Sequence, residues 1–449
     1  MNNDFKRQHL KVKAGTTIFA STGILGKNSP NRMSTEFFYK AFKGNKIILL
    51  NSDYYFNVAT YSLNFDDKYI YTYCYQEEEC WTTYNHDLSG DSYRQEDYIF
   101  TEEVYFRICL KRVDCKDFTD EEAQEINNIL LFLSKDSTEG YKEKSYFSNE
   151  LQKTVDTILE KRTKKSLVLC VLSDSHVTIN GTWKYTIHNI KSINRKVSFN
   201  GIVHLGDLTD GMVSADVTRK YAQKIINDLR EINVPLYIAI GNHDTNYFNG
   251  NLESFSEKEQ YEIYQKHSEK YVNRDFQKLY YFSDFNDVSL RCIFLTSFDH
   301  NEKLRYGFPD EELIWLKKVL DTTPTGYSII VFSHEAPLSI LDYWTDEIRN
   351  GDKLMSILEE YHLCENRKIM AFIHGHTHAD YIYTQKVFPI VSIGCSKCEY
   401  FTDKKPEGAI THKRKLNTVS QELWDTLIIT PSENKIDFVR FGAGVDRTL

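Results

Sequence analysis

Between residues 166 and 378 the chain repeats one pattern five times: a short apolar run stops at an aspartate, asparagine or histidine. Ser166 to Ser173 leads into Asp174 and His176. Ile202 to Gly206 leads into Asp207, and Leu236 to Gly241 into Asn242, His243 and Asp244. Ser328 to Ser333 ends at His334, and Ile369 to Ile373 ends at His374, Gly375, His376 and His378. Runs this short, rich in Val, Leu and Ile, read as strands buried on both faces. Their polar residues then sit at strand tips. Alternation in an extended segment puts residues i and i+2 on one side, so Asp174 and His176 can point at one place. In open α/β sheets the ligand lies in the crevice beyond the carboxyl ends of the strands, where distant tips can converge.

The segments between these tips alternate strand and helix patterns. Helices are expected over 149–161, 215–232, 257–271, 310–320 and 354–361. Further strands are expected at 279–282, 290–297, 327–332 and 368–373, with a return to β-structure at 390–394, 424–430 and 436–441. This predicts a layered α/β domain with mixed sheets. Residues 1 to about 118 read differently. Strand-like runs at 16–20, 46–50, 54–61, 69–75 and 98–110 are punctuated by turn chemistry at 26–31, 66–67 and 88–91, which favours a mainly antiparallel, sandwich-like unit. Thr119 and Glu122 have capping-box spacing and predict a helix running to about Leu133. The charged, Gly-containing stretch 135–143 marks the boundary. The expectation is an accessory β-rich domain over 1–143 and a second domain over 144–449.

With 449 residues there is ample chain for two domains. The 30 Tyr and 27 Phe suit half-exposed strand faces. A net charge of −9 argues against coating nucleic acid, whose phosphates need basic surface, but leaves a small phosphate substrate open because metals can supply positive charge. The nine Cys are odd in number, and Cys395 and Cys398 form the only CxxC, so reduced thiols in a cytosolic protein are expected. The N-terminus has no apolar h-region, and no run approaches the ~20 apolar residues of a membrane span, so a cytoplasmic location without membrane partners is expected.

Carboxylates, imidazoles and one amide oxygen, without thiolate, disfavour structural zinc and Fe–S clusters and suit Mn, Fe, Zn, Co or Ni. The donors are too many for one four-coordinate ion and point to two ions ~4 Å apart, a pair that lowers the pKa of a bridging water and clamps the oxygens of an in-line displacement at phosphorus.

Asp-x-His, Gly-Asp, Gly-Asn-His-Asp, a lone His after a strand, and Gly-His-x-His, in this order over roughly residues 150–449, resemble the calcineurin-like metallophosphoesterase superfamily. The block Gly206 to Gly211 is most similar to its phosphodiesterase-like branch, and the ending at 440–447 looks like that of a bacterial subgroup with an extra N-terminal domain. The resemblance implies a four-layer sandwich of mixed sheets flanked by helices. It puts Asp174, His176 and His378 on a first metal, Asp207 between both, and Asn242, His334 and His376 on a second. His243 would face the leaving oxygen and Asp244 would orient His243. Asn242 and His243 are candidate substrate contacts, and so is Asp210, though a place behind the ligands fits it better. His300, after Thr296-Ser297-Phe298-Asp299, is a further candidate at the site rim, with a solvated loop position as the alternative. The implied activity is a dimetal phosphodiesterase or phosphomonoesterase acting on a small phosphoester by attack of a metal-bridged hydroxide.

Other readings stay open at this point. His204 and His374 fit structural roles, and Cys395 with Cys398 fit buried thiols. Arg440 and Arg447 fit surface ion pairs better than a substrate phosphate site. Trp81, Tyr84, Tyr54 and Tyr55 fit core packing better than a sugar-stacking face. A non-catalytic protein with a vestigial site, its N-terminal domain reading glycan or a protein partner, is one alternative. A protein phosphatase or nuclease is another.

Overall fold

The computed structural model describes residues 5–19, 23, 25–35, 38–63, 81–86, 93–102, 104–135, 144–177, 181–247, 253–299, 301–399, 406 and 408–449. It divides into two compact units, Met1–Lys142 and Glu143–Leu449.

The first unit is antiparallel throughout its described pairings. One sheet pairs Phe5–Gln8, Leu130–Lys135, Lys46–Leu49 and Tyr98–Ile99 in that order. The other runs Val12–Ala14, Met33–Thr35, Val104–Arg112, Tyr54–Leu63, Trp81–His86, with Tyr39–Ala41 also on Val104–Arg112. Ile47, Leu130 and Phe132 from one sheet share a core with Phe56, Phe106 and Ile108 from the other, and the Phe106 and Phe132 rings meet edge-on at 4.9 Å. The Thr119 capping box forms as expected, but its helix stops at Gln124 and, after one further turn over Ile126–Ile129, Leu130–Lys135 is a strand. Leu130, Phe132 and Ser134 are buried while Leu131 and Leu133 are only half-buried, a period of two that overrides the three- and four-residue spacing. The expected run 98–110 is two strands, Tyr98–Ile99 and Val104–Arg112. The strand expected at 69–75 and the turns at 66–67 and 88–91 lie outside the described residues, as does most of the stretch 135–143.

In the second unit the strands are numbered from its start: β1 Leu167–Leu172, β2 Gly201–His204, β3 Leu236–Ile238, β4 Tyr281–Phe285, β5 Leu290–Phe294, β6 Ser328–Phe332, β7 Lys368–His374, β8 Asp380–Tyr383, β9 Ile390–Ile393, β10 Leu423–Thr430, β11 Lys435–Gly442 and β12 Arg447–Thr448. The long helices are α1 Ser148–Lys161, α2 Trp183–Val197, α3 Ala215–Arg230, α4 Asp310–Asp321 and α5 Gly351–Leu363. One sheet has the order β3-β2-β1-β10-β11-β12, parallel across β1 to β3 and antiparallel from β1 to β12. The other has the order β4-β5-β6-β7-β9-β8, parallel from β5 to β9 with antiparallel edges.

Alternation along the strands builds four layers. Val168, Cys170 and Leu172 of β1 face α1, α2 and α3, while Leu167, Leu169 and Val171 enter the core between the sheets. Ile330 and Phe332 of β6 meet them there, and Ile329 and Val331 pack against α4 and α5. Strands buried on both faces explain the continuous apolar runs. The helix expected at 257–271 exists in pieces: an α-turn over Glu257–Gln260, a π-helical turn over Tyr261–Gln265 and a 3-10 turn over Lys266–Tyr271. Helix α2 and strand β8 were not expected.

Candidate metal centre

All five tips meet in one buried place. Asp174 and His176 follow β1, Asp207 follows β2, Asn242 and His243 follow β3, His334 follows β6, and His376 and His378 follow β7. Each is at most 8 % exposed. Asp174 and His176 do not converge through extended alternation. Both lie in the left-handed region, at φ 53° and 40°, and so do Asp207, His376 and His378 at 54°, 63° and 53°. Non-glycine residues avoid this region, and such strain persists only where the surroundings enforce it. The surroundings here are a second backbone. Asp174, His176 and Val177 donate their N–H groups to the carbonyls of Gly206, Asp207 and Leu208. Gly206 itself has φ +103°, and a Cβ there would press on Gly241 and the His334 ring. At Gly375 a Cβ would overlap the Ser173 hydroxyl and the Asp174 carboxylate.

Four overlapping groups of donor atoms could each hold an ion. Two of them are Asp174 with His176 and His378, and Asp207 with His334 and His376, and a third, His176 with Asp207 and His243, shares a residue with each. Within the first, His378 Nε2 is 3.1 Å from Asp174 Oδ1 and 3.3 Å from His176 Nε2. In the second, His334 Nε2 is 3.1 Å from Asp207 Oδ2, 3.3 Å from His376 Nδ1 and 3.0 Å from Asn242 Oδ1. Asp207 Oδ2 is also 3.7 Å from His176 Nε2, so it faces both groups. Donors sharing one ion at about 2.1 Å lie roughly 3–3.5 Å apart, which these spacings match.

The outward nitrogens of the rings make the same case. His176 Nδ1 is 3.2 Å from Asp210 Oδ1, His376 Nε2 is 3.5 Å from Asp342 Oδ2, and His378 Nδ1 contacts the Glu399 carboxylate. His334 Nδ1 donates to the Leu205 carbonyl at 2.7 Å, and His243 Nδ1 to the Asp210 carbonyl at 2.5 Å. An acceptor thus lies near the outer nitrogen of each ring, the side on which a metal-bound imidazole keeps its proton, and for His334 and His243 it is a hydrogen bond. Burial would raise the Asp174 and Asp207 carboxyls, but the adjacent imidazoles outweigh it and hold both below the usual carboxylate range. His334 and His378 rise well above the ordinary value despite burial, His334 through the Asp207, Glu335 and Asp174 carboxylates and His378 through the Cys395 sulfur first and the Glu399 and Asp174 carboxylates after it. His176 is driven well down, by burial first and by its cationic neighbours second. The residues present therefore fit two metal ions.

The calcineurin-like phosphoesterase family model matches residues 167–380, the span that holds this centre. The second unit carries a calcineurin-like phosphoesterase domain. The chain is thereby a metal-dependent phosphoric ester hydrolase in class. No curated protein matches the chain by sequence. Among solved structures, a dimetal phosphatase from Danio rerio is similar at 14 % identity with a TM-score of 0.48, over 63 % of this chain and 98 % of that one. A purple acid phosphatase from yellow lupin is similar at 10 % identity with a TM-score of 0.44, over 99 % of this chain and 74 % of that one. A phosphopantetheinyl hydrolase from Mycobacterium tuberculosis follows at 11 % and 0.32, over 52 % and 91 %.

The phosphoesterase domain corrects several expectations. Asp244 does not orient His243. Its carboxylate accepts the N–H groups of Asp207, Leu208 and Gly241 at 2.9, 2.9 and 3.0 Å, and burial with Asp207 nearby pushes its pKa up to about 8. Asp210 supplies the carbonyl that orients His243, while its carboxylate is buried on His176 rather than turned toward a substrate. His300 lies outside the described residues. Arg440 is buried, not on the surface, and reaches Asp380 and Asp425, with Arg447 on Asp425. His204 bonds Ser175 Oγ at 2.8 Å, and His374 bonds Tyr381 Oη at 2.7 Å, both structural as expected. Tyr54 stacks in its core on Phe118, and Trp81 and Tyr84 lie outside the described side chains. Glu399 and Asp342 were missed. Glu399 lies in the loop after β9 and Asp342 directly follows Leu341, and nothing in the sequence ties them to the histidines they touch.

Proposed function

We propose that the second unit is a two-metal phosphoester hydrolase in which Asp174, His176 and His378 hold one ion, Asn242, His334 and His376 hold the other, and Asp207 is shared. The observation that carries this is the convergence of two buried donor groups on the Asp207 carboxylate, whose Oδ2 lies 3.1 Å from His334 Nε2 and 3.7 Å from His176 Nε2. Bound there, a pair of divalent ions supplies a nucleophilic oxygen at neutral pH and offsets charge on the phosphoryl oxygens.

The protein's own groups do the rest. The Asp174 and Asp207 loops are pinned to each other by backbone hydrogen bonds, which fixes the relative placement of their donors. His243 donates Nδ1–H to the Asp210 carbonyl and its ring stands edge-on to His176 at 4.8 Å. Nε2 is thereby turned inward, 3.9 Å from Asp207 Oδ2. A proton gained at Nε2 is the one it can hand to a leaving oxygen. Burial lowers the His243 pKa, and Asp207 partly opposes that. Asn242 stands beside His334 with its amide oxygen toward the second group. The expected substrate is a small phosphomonoester or phosphodiester.

Asp207→Ala should abolish both metal uptake and hydrolysis of a nitrophenyl phosphoester. Retained turnover by a variant that still folds would sink the assignment.

A further inference from the structure

A further cluster of donor atoms lies behind the first metal group: His378, Cys395 and Glu399. His378 Nδ1 contacts the Glu399 carboxylate, and Cys395 Sγ is 3.5 Å from Glu399 Oε1. By ligand type alone this is a candidate ion site. The Lys397 ammonium argues against that. It lies 3.7 Å from Glu399 Oε2 and 3.8 Å from Asp210 Oδ1. Asp210 Oδ1 is in turn 3.2 Å from His176 Nδ1. The groups form a continuous line: His176, Asp210, Lys397, Glu399, His378. Both imidazoles assigned to the first ion are thus backed by carboxylates that one ammonium joins. Asp210 and Glu399 are 3 % and 4 % exposed, so water screens little of this interaction.

The backbone holds the same segment in place. Ser396 and Lys397 donate their N–H groups to the Ser173 and Asp174 carbonyls at 2.8 and 3.0 Å, and Cys395 Sγ meets the Asp174 carbonyl at 3.2 Å. Strand β9 therefore delivers residues 395–399 against the tip of β1. Among the described residues the second group is backed differently: His376 faces Asp342 at 3.5 Å, His334 donates to the Leu205 carbonyl, and the buried Glu335 carboxylate acts on both rings with no ammonium joining it to Asp342 in the described ion pairs.

We infer that Glu399 and Lys397 are positioning residues for the first ion alone: the Asp210–Lys397–Glu399 bridge fixes the tautomer and aim of His176 and His378 and makes the two metal positions unequal in affinity. This rests on the two-metal reading above. Removal of an outer partner of a metal-bound histidine typically weakens metal binding 10–100-fold.

The test is a stepwise Mn²⁺ titration of the chelator-stripped full chain, with bound metal read by elemental analysis and by electron paramagnetic resonance. Wild type should take up about two ions per chain. Glu399→Ala should raise one dissociation constant about 10–100-fold and leave the other within about twofold, with loss of the spin-coupled signal at intermediate Mn²⁺. Glu399→Gln keeps an acceptor oxygen and should lose less, and Lys397→Met should weaken the same ion. If Glu399→Ala does not fold, these two variants carry the test. Equal weakening of both ions, or no change in either, would overturn the inference while leaving the two-metal reading intact. A third wild-type ion that disappears in Glu399→Ala would overturn it in favour of a ligand role. A wild type that binds no metal would instead bring down the reading beneath it.

Discussion

At the scale of single residues, the centre is made by strained backbone as much as by donor type. His176, His376 and His378 are the only histidines among the described residues with positive φ, and all three point into the metal groups. The strain leaves close neighbours no room. At Gly375, between the β7 tip and His376, an added methyl would meet both the Ser173 side chain and the Asp174 carboxylate. Gly375→Ala should therefore displace Asp174 and cost most of the metal affinity while far-ultraviolet circular dichroism stays near wild type. A variant with unchanged metal uptake would show that the close approach is not needed. The donors themselves were legible in the sequence, because each sits directly after an apolar run. Their supports were not. Glu399, Asp342 and the Leu205 carbonyl reach the imidazoles only through the fold, and Asp244 misled because its place beside His243 in sequence does not put it beside the His243 ring.

At the scale of elements, the continuous apolar runs marked the central strands, since burial on both faces removes polar alternation. Helix α2 escaped notice because its buried Trp183, Ile187, Ile190, Ile193 and Val197 are diluted by Asn, Lys and Arg on the exposed face. Leu130–Lys135 was misassigned because its leucines satisfy a helical spacing as well as a strand one. A buried ion-pair link is among the contacts that join the two sheets of the second unit. Arg440 on β11 donates Nε–H to Asp425 Oδ1 on β10 at 2.8 Å and Nη1–H to Asp380 Oδ2 on β8 at 2.7 Å. Breaking a buried pair by removing one partner leaves an uncompensated charge, so Arg440→Ala should cost about 3–5 kcal/mol in chemical denaturation. The link also has a pH signature. Burial would raise the Asp380 carboxyl, but Arg440, His412 and Arg447 hold it far below its ordinary value. With the folded pKa depressed, its contribution is present above the unfolded value near 3.9 and is lost as pH falls below it toward the folded one. Wild-type stability should therefore drop on acidification below about pH 4, and Arg440→Ala should show a shallower drop. Equal slopes would mean that Asp380 is not the group responsible.

At the scale of the whole molecule, the division of labour is uneven. The second unit holds every metal group among the described residues, and the family match falls inside it. The first unit is an antiparallel sandwich whose composition suggested aromatic surfaces, but Tyr54, the candidate whose side chain packs in the core, is a stacking partner there. No helix among the described residues is long and apolar enough to cross a membrane. The candidate metal groups among the described residues all lie in one buried centre, so activity should follow metal content. The most direct measurement is turnover of a nitrophenyl phosphoester by the chelator-stripped full chain as Mn²⁺ is restored stepwise, with bound metal measured in the same samples. Activity should be absent in the stripped protein and should rise to its plateau at about two bound ions per chain. Full turnover by protein shown to carry no metal would contradict the account.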